Sequence, residues 1–265
     1  MKVTALRLVA RNVVNLESVA KFYADALGFQ AVEATIEDPL LANLLGVQRL
    51  RVLRMRLGAQ EIELSECYPP RARYPRDMAA NDMGFQHIAI ITTDITNAYT
   101  RVLRLGAKAI SSSGPVHLPV SSGGVSAIKF RDPDGHPLEF LQFPKGTEKA
   151  IEGFDHSAIC ISDVERSVAF YAKFGVRVAA QQVNQGAEQD TLDGLTNVSV
   201  AVVALHPPQP TPHLELLCYR APKPHAAAPY ALADICADRL VFTATNGELQ
   251  LLRDPDGHTI LINGR

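Results

Sequence analysis

One hexapeptide, Arg-Asp-Pro-Asp-Gly-His, occurs twice in this chain without change, at residues 131–136 and 253–258. Asp and Pro favour a tight bend, and Gly supplies the positive φ that such a bend requires. Apolar runs flank both copies, so each copy predicts the turn of a β-hairpin. An unchanged repeat of this kind predicts a chain assembled from copies of one supersecondary unit.

Two weaker repeats place a strand and a helix ahead of each hairpin. Residues 84–90 and 153–159 both begin Gly-Phe, have His at the fourth position and open a short strand. Asp94 and Asp163 follow these strands and precede apolar residues with helical spacing, which is an N-cap signal. The same helical pattern follows Asn15. The repeating unit is therefore a strand, a helix and then three strands.

This unit is predicted four times, and the copies are called modules one to four below. The modules cover residues 3–67, 84–143, 153–218 and 226–263. Module four is much shorter than the others and has a hairpin signal, Asn246-Gly247, so we predict that it lacks the helix. The pattern predicts an α+β fold of tandem βαβββ modules that pair into curled mixed sheets. We assign an N-terminal domain to residues 1–145 and a C-terminal domain to residues 146–265.

The composition narrows the functional class. The 265 residues include 26 basic and 28 acidic side chains, so the net charge of −2 gives no basic surface for nucleic acid. The chain has no apolar stretch long enough for a transmembrane helix, and Arg7 and Arg11 interrupt the apolar core that a signal peptide needs. The four cysteines are scattered, which indicates reduced thiols. We therefore expect a cytoplasmic protein that binds neither nucleic acid nor membrane.

The repeated motifs resemble those of a known family. The matching residues are His87 and His156, the helix ends Phe22-Tyr23 and Phe170-Tyr171, the two Asp-Pro-Asp-Gly-His turns, and the strands that carry Glu139 and Glu215. With these residues the chain resembles, over nearly its whole length, the vicinal oxygen chelate superfamily, which contains glyoxalases, bleomycin-resistance proteins and extradiol dioxygenases. The resemblance is specific for the fold and not for the substrate, because this family supports many chemistries.

The resemblance implies a metal site. In this family two modules form a cup around one divalent ion, and each module offers a His or Gln from its first strand and a Glu from its last. Carried over to this chain, module two offers His87 and Glu139, and module three offers His156 and Glu215.

Modules one and four depart from this pattern. Leu8 falls at the His position of module one, with Glu63 at its Glu position, while Arg239 and Leu261 fall at the two positions of module four. A cup made by modules two and three would have every ligand position filled, whereas pairing of sequence-adjacent modules would leave two incomplete sites. We therefore predict that modules two and three pair, and that modules one and four form a degenerate cup. Glu63 is predicted to be solvated or salt-bridged. Arg239 is predicted to lie on the surface, with an anchor for a substrate anion as the alternative.

The predicted ligand set suits several metals and one class of reaction. Two imidazoles and two carboxylates suit Ni²⁺, Co²⁺, Zn²⁺, Mn²⁺ or Fe²⁺ and leave about two positions open on a six-coordinate ion. The set resembles that of metal-dependent glyoxalase I, which implies a lyase or isomerase that acts on a small oxygenated substrate through a metal-stabilised enediolate. Glu215 or Glu139 would be the catalytic base. We expect a monomer or a homodimer.

Two other functions remain open at this point. Extradiol dioxygenases hold Fe²⁺ with two His and one Glu, so a fourth protein ligand counts against a ring-cleaving dioxygenase. The second alternative is a binding protein without catalysis, similar to the antibiotic-sequestering members of the family, which typically lack the ligand set. His136 and His258 follow tight turns and are predicted to be turn residues rather than ligands.

Overall fold

The computed structural model describes residues 1–147, 153–225 and 230–264, so residues 226–229 at the predicted start of module four lie outside the described residues. The helices are α1 (Leu16–Leu27), α2 (Pro39–Leu45), α3 (Ile95–Arg104), α4 (Val164–Ala172) and α5 (Ala187–Asp193), with a 3-10 turn at Val120–Ser122. The strands are β1 (Val3–Val13), β2 (Gln30–Ala31), β3 (Ile36–Glu37), β4 (Arg49–Leu57), β5 (Gln60–Tyr68), β6 (Gln86–Ile91), β7 (Lys108–Ala109), β8 (Val116–His117), β9 (Ser126–Arg131), β10 (Pro137–Gln142), β11 (Gly153–Cys160), β12 (Arg177–Gln185), β13 (Ser199–His206), β14 (His213–Ala221), β15 (Arg239–Ala244), β16 (Gln250–Arg253) and β17 (Thr259–Asn263). None of the described helices is long and apolar enough to cross a membrane.

The strands form two mixed sheets, and each sheet combines strands from both halves of the chain. The 1/4 sheet joins modules one and four in the order β16-β17-β15-β1-β5-β4-β2, with β3 beside β4. The 2/3 sheet joins modules two and three in the order β12-β13-β14-β11-β6-β10-β9-β7, with β8 beside β9. The central strands β6 and β11 run antiparallel to each other. The predicted α+β class and the predicted pairing of modules two and three are confirmed, while the domain division after residue 145 stays a prediction.

Module four has the predicted form, whereas modules one and three each contain a helix that the sequence reading missed. Between Arg239 and Asp254, all of which the structure describes, the chain forms β15 and β16 and no helix. Helix α2 begins after Asp38, whose carboxylate accepts the N–H of Leu41, and has Pro39 at its first position. Both are helix-start signals that could have been found. Helix α5 follows a glycine with no side-chain cap, so it lacks such a signal.

Helix α1 packs its predicted apolar face into the core. Asn15 caps its first turn, and Gly28 ends it in the left-handed conformation with φ 83°. The predicted face, which is buried, consists of Leu16, Val19, Tyr23 and Leu27. This face belongs to one apolar cluster that also contains Val9 of the 1/4 sheet and Ile88 of the 2/3 sheet. The helix therefore helps to hold the two sheets together.

Each hexapeptide forms the predicted hairpin turn, and its first aspartate closes it. Asp132 Oδ1 accepts the backbone N–H groups of Gly135 and His136 at 2.9 Å each, and Gly135 has φ 105°. Asp254 accepts the backbone N–H of His258 at 2.9 Å in the second copy. The strands on either side pair antiparallel in both copies, which confirms the two hairpins.

The same aspartates bind a helix of the preceding module. The hydroxyl of Tyr23 on α1 donates to Asp132 at 3.2 Å, and the hydroxyl of Tyr171 on α4 donates to Asp254 at 3.1 Å. All four side chains are buried or nearly so. The turns therefore also join module one to module two and module three to module four.

The turn histidines also contact the backbone of other modules. Nε2 of His136 lies 3.0 Å from the carbonyl oxygen of Ile235, and Nε2 of His258 lies 2.7 Å from the carbonyl oxygen of Cys160. Both rings are buried. His136 and His258 are therefore turn residues, as predicted. His136 also joins module two to module four, and His258 joins module four to module three.

Replacing Asp132 with Ala should lower the free energy of unfolding by about 3–5 kcal/mol, because buried hydrogen bonds to a charged acceptor are lost together. The N–H groups of the turn and the hydroxyl of Tyr23 would be left unpaired. Urea denaturation measures the change. Asp25→Ala is the control, since Asp25 is exposed and contacts Lys21 at the surface, and it should change the free energy by less than about 0.5 kcal/mol. Equal effects of the two changes would contradict the joining role of Asp132.

Candidate metal centre

Strand register brings the four predicted ligands to one region of the 2/3 sheet. In module two, Glu139 of β10 pairs with Ala89 of β6, two residues after His87. Module three repeats this register with Glu215 of β14 and His156 of β11. Residues two apart on a strand share a face, so each His and its Glu project to the same side. The antiparallel pairing of β6 with β11 then places the two modules' side chains opposite each other.

Three of the four side chains form a tight group. Ligand atoms of His87, Glu139 and His156 all lie within 4.8 Å of one another. Nε2 of His87 is 2.9 Å from Oε2 of Glu139, and Nε2 of His156 is 3.9 Å from the same oxygen. The two imidazole centroids are 5.7 Å apart. The two histidines therefore lie close enough to bind the same ion.

The group contains buried polar atoms without partners. Among the described residues, Nε2 of His87, Nδ1 of His87 and Nε2 of His156 find no hydrogen-bond partner of suitable geometry. An unpaired buried polar group costs about 1–3 kcal/mol. Imidazole nitrogens and carboxylate oxygens together are a donor set that first-row divalent cations accept. The residues therefore fit a divalent metal ion.

Glu215 lies at the edge of this group. Its Oε2 is 3.5 Å from Nε2 of His156, and its side chain is 21% exposed, against 7% for Glu139. His213, two residues earlier on β14, places Nε2 3.6 Å from Oε1 of Glu215. Glu215 is therefore the most accessible of the four predicted ligands.

Two further residues were missed by the sequence reading. Asp155 Oδ2 is 3.1 Å from Nδ1 of His156, and Asp155, His156 and His213 form a second group whose ligand atoms lie within 4.8 Å. A carboxylate on Nδ1 fixes an imidazole so that Nε2 can face a metal. An aspartate directly before His156 in the sequence could have suggested this contact. The irregular register between Phe154 and His156 could not be predicted from the sequence.

The charges around His156 favour a cation. Burial alone would lower the pKa of His156, but the negative charges of Glu215, Asp155 and Glu139 raise it to about 9. The same negative potential that favours a proton on this imidazole also attracts a divalent cation.

A buried ion pair lies beside Glu139. Lys129 on β9 pairs in register with Glu139, and its Nζ is 2.7 Å from Asp193 at the end of α5. Asp193 also accepts the hydroxyl of Tyr219 at 3.0 Å. Burial raises the pKa of Glu139, but the charge of Lys129 and the contact with His87 outweigh it and hold this pKa below its usual range. Helix α5 thus supplies the carboxylate that pairs with Lys129, and Lys129 in turn favours the ionised form of Glu139.

The ligand group opens into a cavity of about 300 Å³. Its lining combines apolar residues, among them Leu141 and Val202, with the amides Gln182 and Asn184. Residues 122–123 of the 3-10 turn also border it. A cavity of this size and mixed lining suits a small molecule that is held by a few polar contacts.

The 1/4 sheet repeats the register without the ligands. Glu63 pairs with Ala10, two residues after Leu8, and Leu261 pairs with Val241, two residues after Arg239. The positions assigned to modules one and four are therefore confirmed.

The prediction that Arg239 lies on the surface is wrong. Arg239 is 0% exposed, and its guanidinium donates to Asn12 at 2.5 Å and to Ser65 at 2.7 Å. Acceptors on the neighbouring strands hold its charge inside the protein. Glu63 is also buried, with Arg54 at 3.7 Å and Arg239 at 3.9 Å, in agreement with the salt-bridged alternative.

Two curated proteins are similar to parts of the chain. A virulence protein of Salmonella typhimurium is 30% identical over 129 residues, which are 49% of this chain and 77% of that protein. A lactoylglutathione lyase of Arabidopsis thaliana is 34% identical over 97 residues, which are 36% of this chain and only 31% of that enzyme. The match to the lyase therefore covers a minor part of its length.

Solved structures share the whole architecture. Glyoxalase I from Zea mays superposes with a TM-score of 0.62 at 16% identity, over 98% of this chain and 92% of that one. A Bacillus subtilis protein that is provisionally assigned as a dioxygenase gives a TM-score of 0.63 at 11% identity, over 100% and 86% of the two chains. At such identities the likeness shows the fold alone. The family model of the Glyoxalase/Bleomycin resistance protein/Dioxygenase superfamily matches residues 5–140 and 153–262. Since this match spans both halves, the chain belongs to that superfamily.

Proposed function

We propose that the protein is a divalent-metal-dependent lyase or isomerase that moves a proton on a small oxygenated substrate. His87, Glu139, His156 and Glu215 would be the metal ligands. The observation that carries the proposal is the buried group of His87, Glu139 and His156, whose ligand atoms lie within 4.8 Å of one another at the wall of a small-molecule cavity. A bound divalent ion would polarise the substrate's oxygen atoms and acidify the neighbouring C–H bond.

The two glutamates have surroundings that suit different tasks. Glu139 has a 7% exposed side chain and faces the buried ammonium of Lys129, so it stays ionised and fixed. Glu215 has a 21% exposed side chain on the cavity wall, and within the part of the chain that the structure describes its charged neighbours are the imidazoles of His156 and His213 rather than a lysine or arginine. We therefore assign Glu215 as the base that takes the proton from substrate, and Glu139 as a permanent ligand.

The remaining residues would bind and orient the substrate. Gln182 and Asn184 offer amide groups to its polar end, and Leu141 and Val202 contact its apolar part. Asp155 holds the ring of His156 through Nδ1 and keeps Nε2 toward the ligand group. Cytoplasmic location and a monomeric or homodimeric state stay predictions.

A ring-cleaving dioxygenase is the second candidate, and one observation favours it. The tight group holds two His and one carboxylate, with Glu215 at its edge, and this is the ligand pattern of non-haem Fe²⁺ oxygenases. Displacement of Glu215 would then leave room for a catechol and O₂. The two candidates differ in whether O₂ is consumed.

Titration of the EDTA-treated protein with Ni²⁺, Co²⁺, Zn²⁺, Mn²⁺ and Fe²⁺ tests the proposal. We expect one ion per chain, and we expect metal-loaded protein to form S-lactoylglutathione, or to exchange a substrate C–H proton with solvent, without O₂ uptake. O₂ uptake with a catechol only in the Fe²⁺ form would favour the dioxygenase. A protein that binds none of the five ions but still binds a small aromatic ligand would contradict both enzymes and leave a binding protein.

A further inference from the structure

The 1/4 sheet has a cup of its own, and this cup does not contain the ligand set of a metal site. Its cavity measures about 310 Å³, close to the cavity of the 2/3 sheet. We call it the 1/4 cup. Its lining includes Leu8, Glu63, Arg54, Val241, Leu261 and Leu41. We propose that the 1/4 cup binds a small organic acid that has an apolar body and a hydrogen-bond donor beside its carboxylate, as a 2-hydroxy acid does.

The 1/4 cup already contains its own positive charge. Arg239 lies at the position that His156 has in the other sheet, and its buried guanidinium is 3.9 Å from Oε1 of Glu63. Leu8 and Leu261 offer no metal-binding atom. The fixed guanidinium therefore balances the charge of Glu63 without an ion, and the cup lacks the ligand set of the metal centre.

Glu63 and Arg54 define the polar end of the ligand. Oε1 of Glu63 accepts the hydroxyl of Ser65 at 3.3 Å, whereas Oε2 lies 3.7 Å from Nε of Arg54, which is too long for a hydrogen bond. Glu63 is 8% exposed and lines the cavity, so it is largely shielded from open solvent. The cup thus presents one acceptor and one cationic donor side by side. A hydroxyl next to a carboxylate matches this pair, because the hydroxyl donates to Glu63 and the carboxylate accepts from Arg54.

Arg54 is the available cation at the mouth of the cup. Arg7 also lines the cavity, but Glu61 already binds its guanidinium at 2.6 Å. Arg54 has carboxylates only at 3.7 Å and beyond. Its side chain is 47% exposed, so it can turn toward an incoming anion.

Most of the remaining lining is apolar and comes from both modules. Its polar members are Thr243, Asn263 and Asp38, and the carboxylate of Asp38 caps α2. Leu41 of α2, Leu249 of the β15–β16 connection, and Val241 and Leu261 of module four lie around the cavity. Such walls suit a small ring or branched aliphatic body. Helix α2, which has no counterpart in module two, thus helps to form the cup.

The probe for this site is 4-fluoromandelate, a 2-hydroxy acid with an aromatic body, followed by fluorine NMR on the EDTA-treated full chain. We expect saturable binding in the millimolar range or tighter. Arg54→Gln should weaken it about tenfold or more, because a charge-assisted hydrogen bond is lost. Arg56→Gln is the matched control: Arg56 is 51% exposed on the same strand but pairs with Glu61, and binding should stay within about twofold.

Two further comparisons distinguish the 1/4 cup from the metal centre. Leu261→Trp should fill the cup and abolish binding, and 4-fluorophenylacetate, which lacks the hydroxyl, should bind at least about fivefold more weakly. His87→Leu should leave binding unchanged, since that residue lies in the other sheet. The inference is overturned if no saturable binding occurs up to about 10 mM, if Arg54→Gln and Arg56→Gln act alike, or if His87→Leu removes the binding.

Discussion

His87→Leu should weaken metal binding about 100- to 1,000-fold and leave the metal-free protein at least as stable as the wild type. Leucine is the residue that module one has at the equivalent position, Leu8, so the fold accepts it there. The loss of affinity follows because one of four ligands disappears from a site whose total binding free energy is shared among them.

The expected stability of the metal-free His87→Leu variant depends on the surroundings of the His87 ring. Nδ1 of His87 is buried without a hydrogen-bond partner among the described residues, and an apolar side chain of similar size removes that cost. Nε2 has only the 2.9 Å contact with Glu139, and Glu139 keeps the charge of Lys129 beside it when this contact is lost. We expect the free energy of unfolding in EDTA to stay equal or to rise by about 1–2 kcal/mol. Denaturation in EDTA measures the stability of the variant, and metal titration measures its metal affinity.

His225→Ala is the control, because His225 is exposed and lies outside the cup, paired with Asp82. It should change neither metal affinity nor stability measurably. If His87→Leu retained wild-type metal affinity, His87 would be a packed core residue rather than a ligand.

The repeats predicted the modules and their pairing because the physical reasons were local. A turn sequence, an N-cap and an apolar period each act over a few residues, and they recur at Asp94, Asp163 and the two hexapeptides. Which modules share a sheet followed from counting the ligand positions that the family resemblance implies. His87 and His156 each had a glutamate to match, while module one had Glu63 but Leu8 in place of its histidine. The register of β6 with β11 agrees with that choice.

What the sequence did not predict depends on contacts between distant segments. Arg239 was predicted at the surface because a surface arginine is the more common case, yet Asn12 and Ser65 on neighbouring strands hold it inside. Lys129 and Asp193 form a buried pair only because α5 folds over the 2/3 sheet. Buried charge pairs of this kind become visible only when strand order and register are known.

Glu215→Gln should lower turnover about 100- to 10,000-fold while metal affinity stays within about tenfold, if Glu215 is the base. Gln keeps an oxygen that can coordinate but cannot take up a proton near neutral pH. The fall should appear in kcat, because substrate binding through Gln182 and Asn184 is untouched.

Glu139→Gln is the matched change and should behave in the opposite way. It removes the charge that faces Lys129, so we expect a loss of metal affinity first, and activity that returns toward the wild-type level when metal is added in excess. Metal content by mass spectrometry and kcat at saturating metal separate the two variants. If Glu139→Gln were inactive with metal bound and Glu215→Gln stayed active, the base would be Glu139 and the more accessible carboxylate would be only a ligand. Exposure to the cavity would then be a poor guide to the base in this cup, and the charge of Lys129 would have to be considered as a part of the proton transfer rather than as support for a fixed ligand.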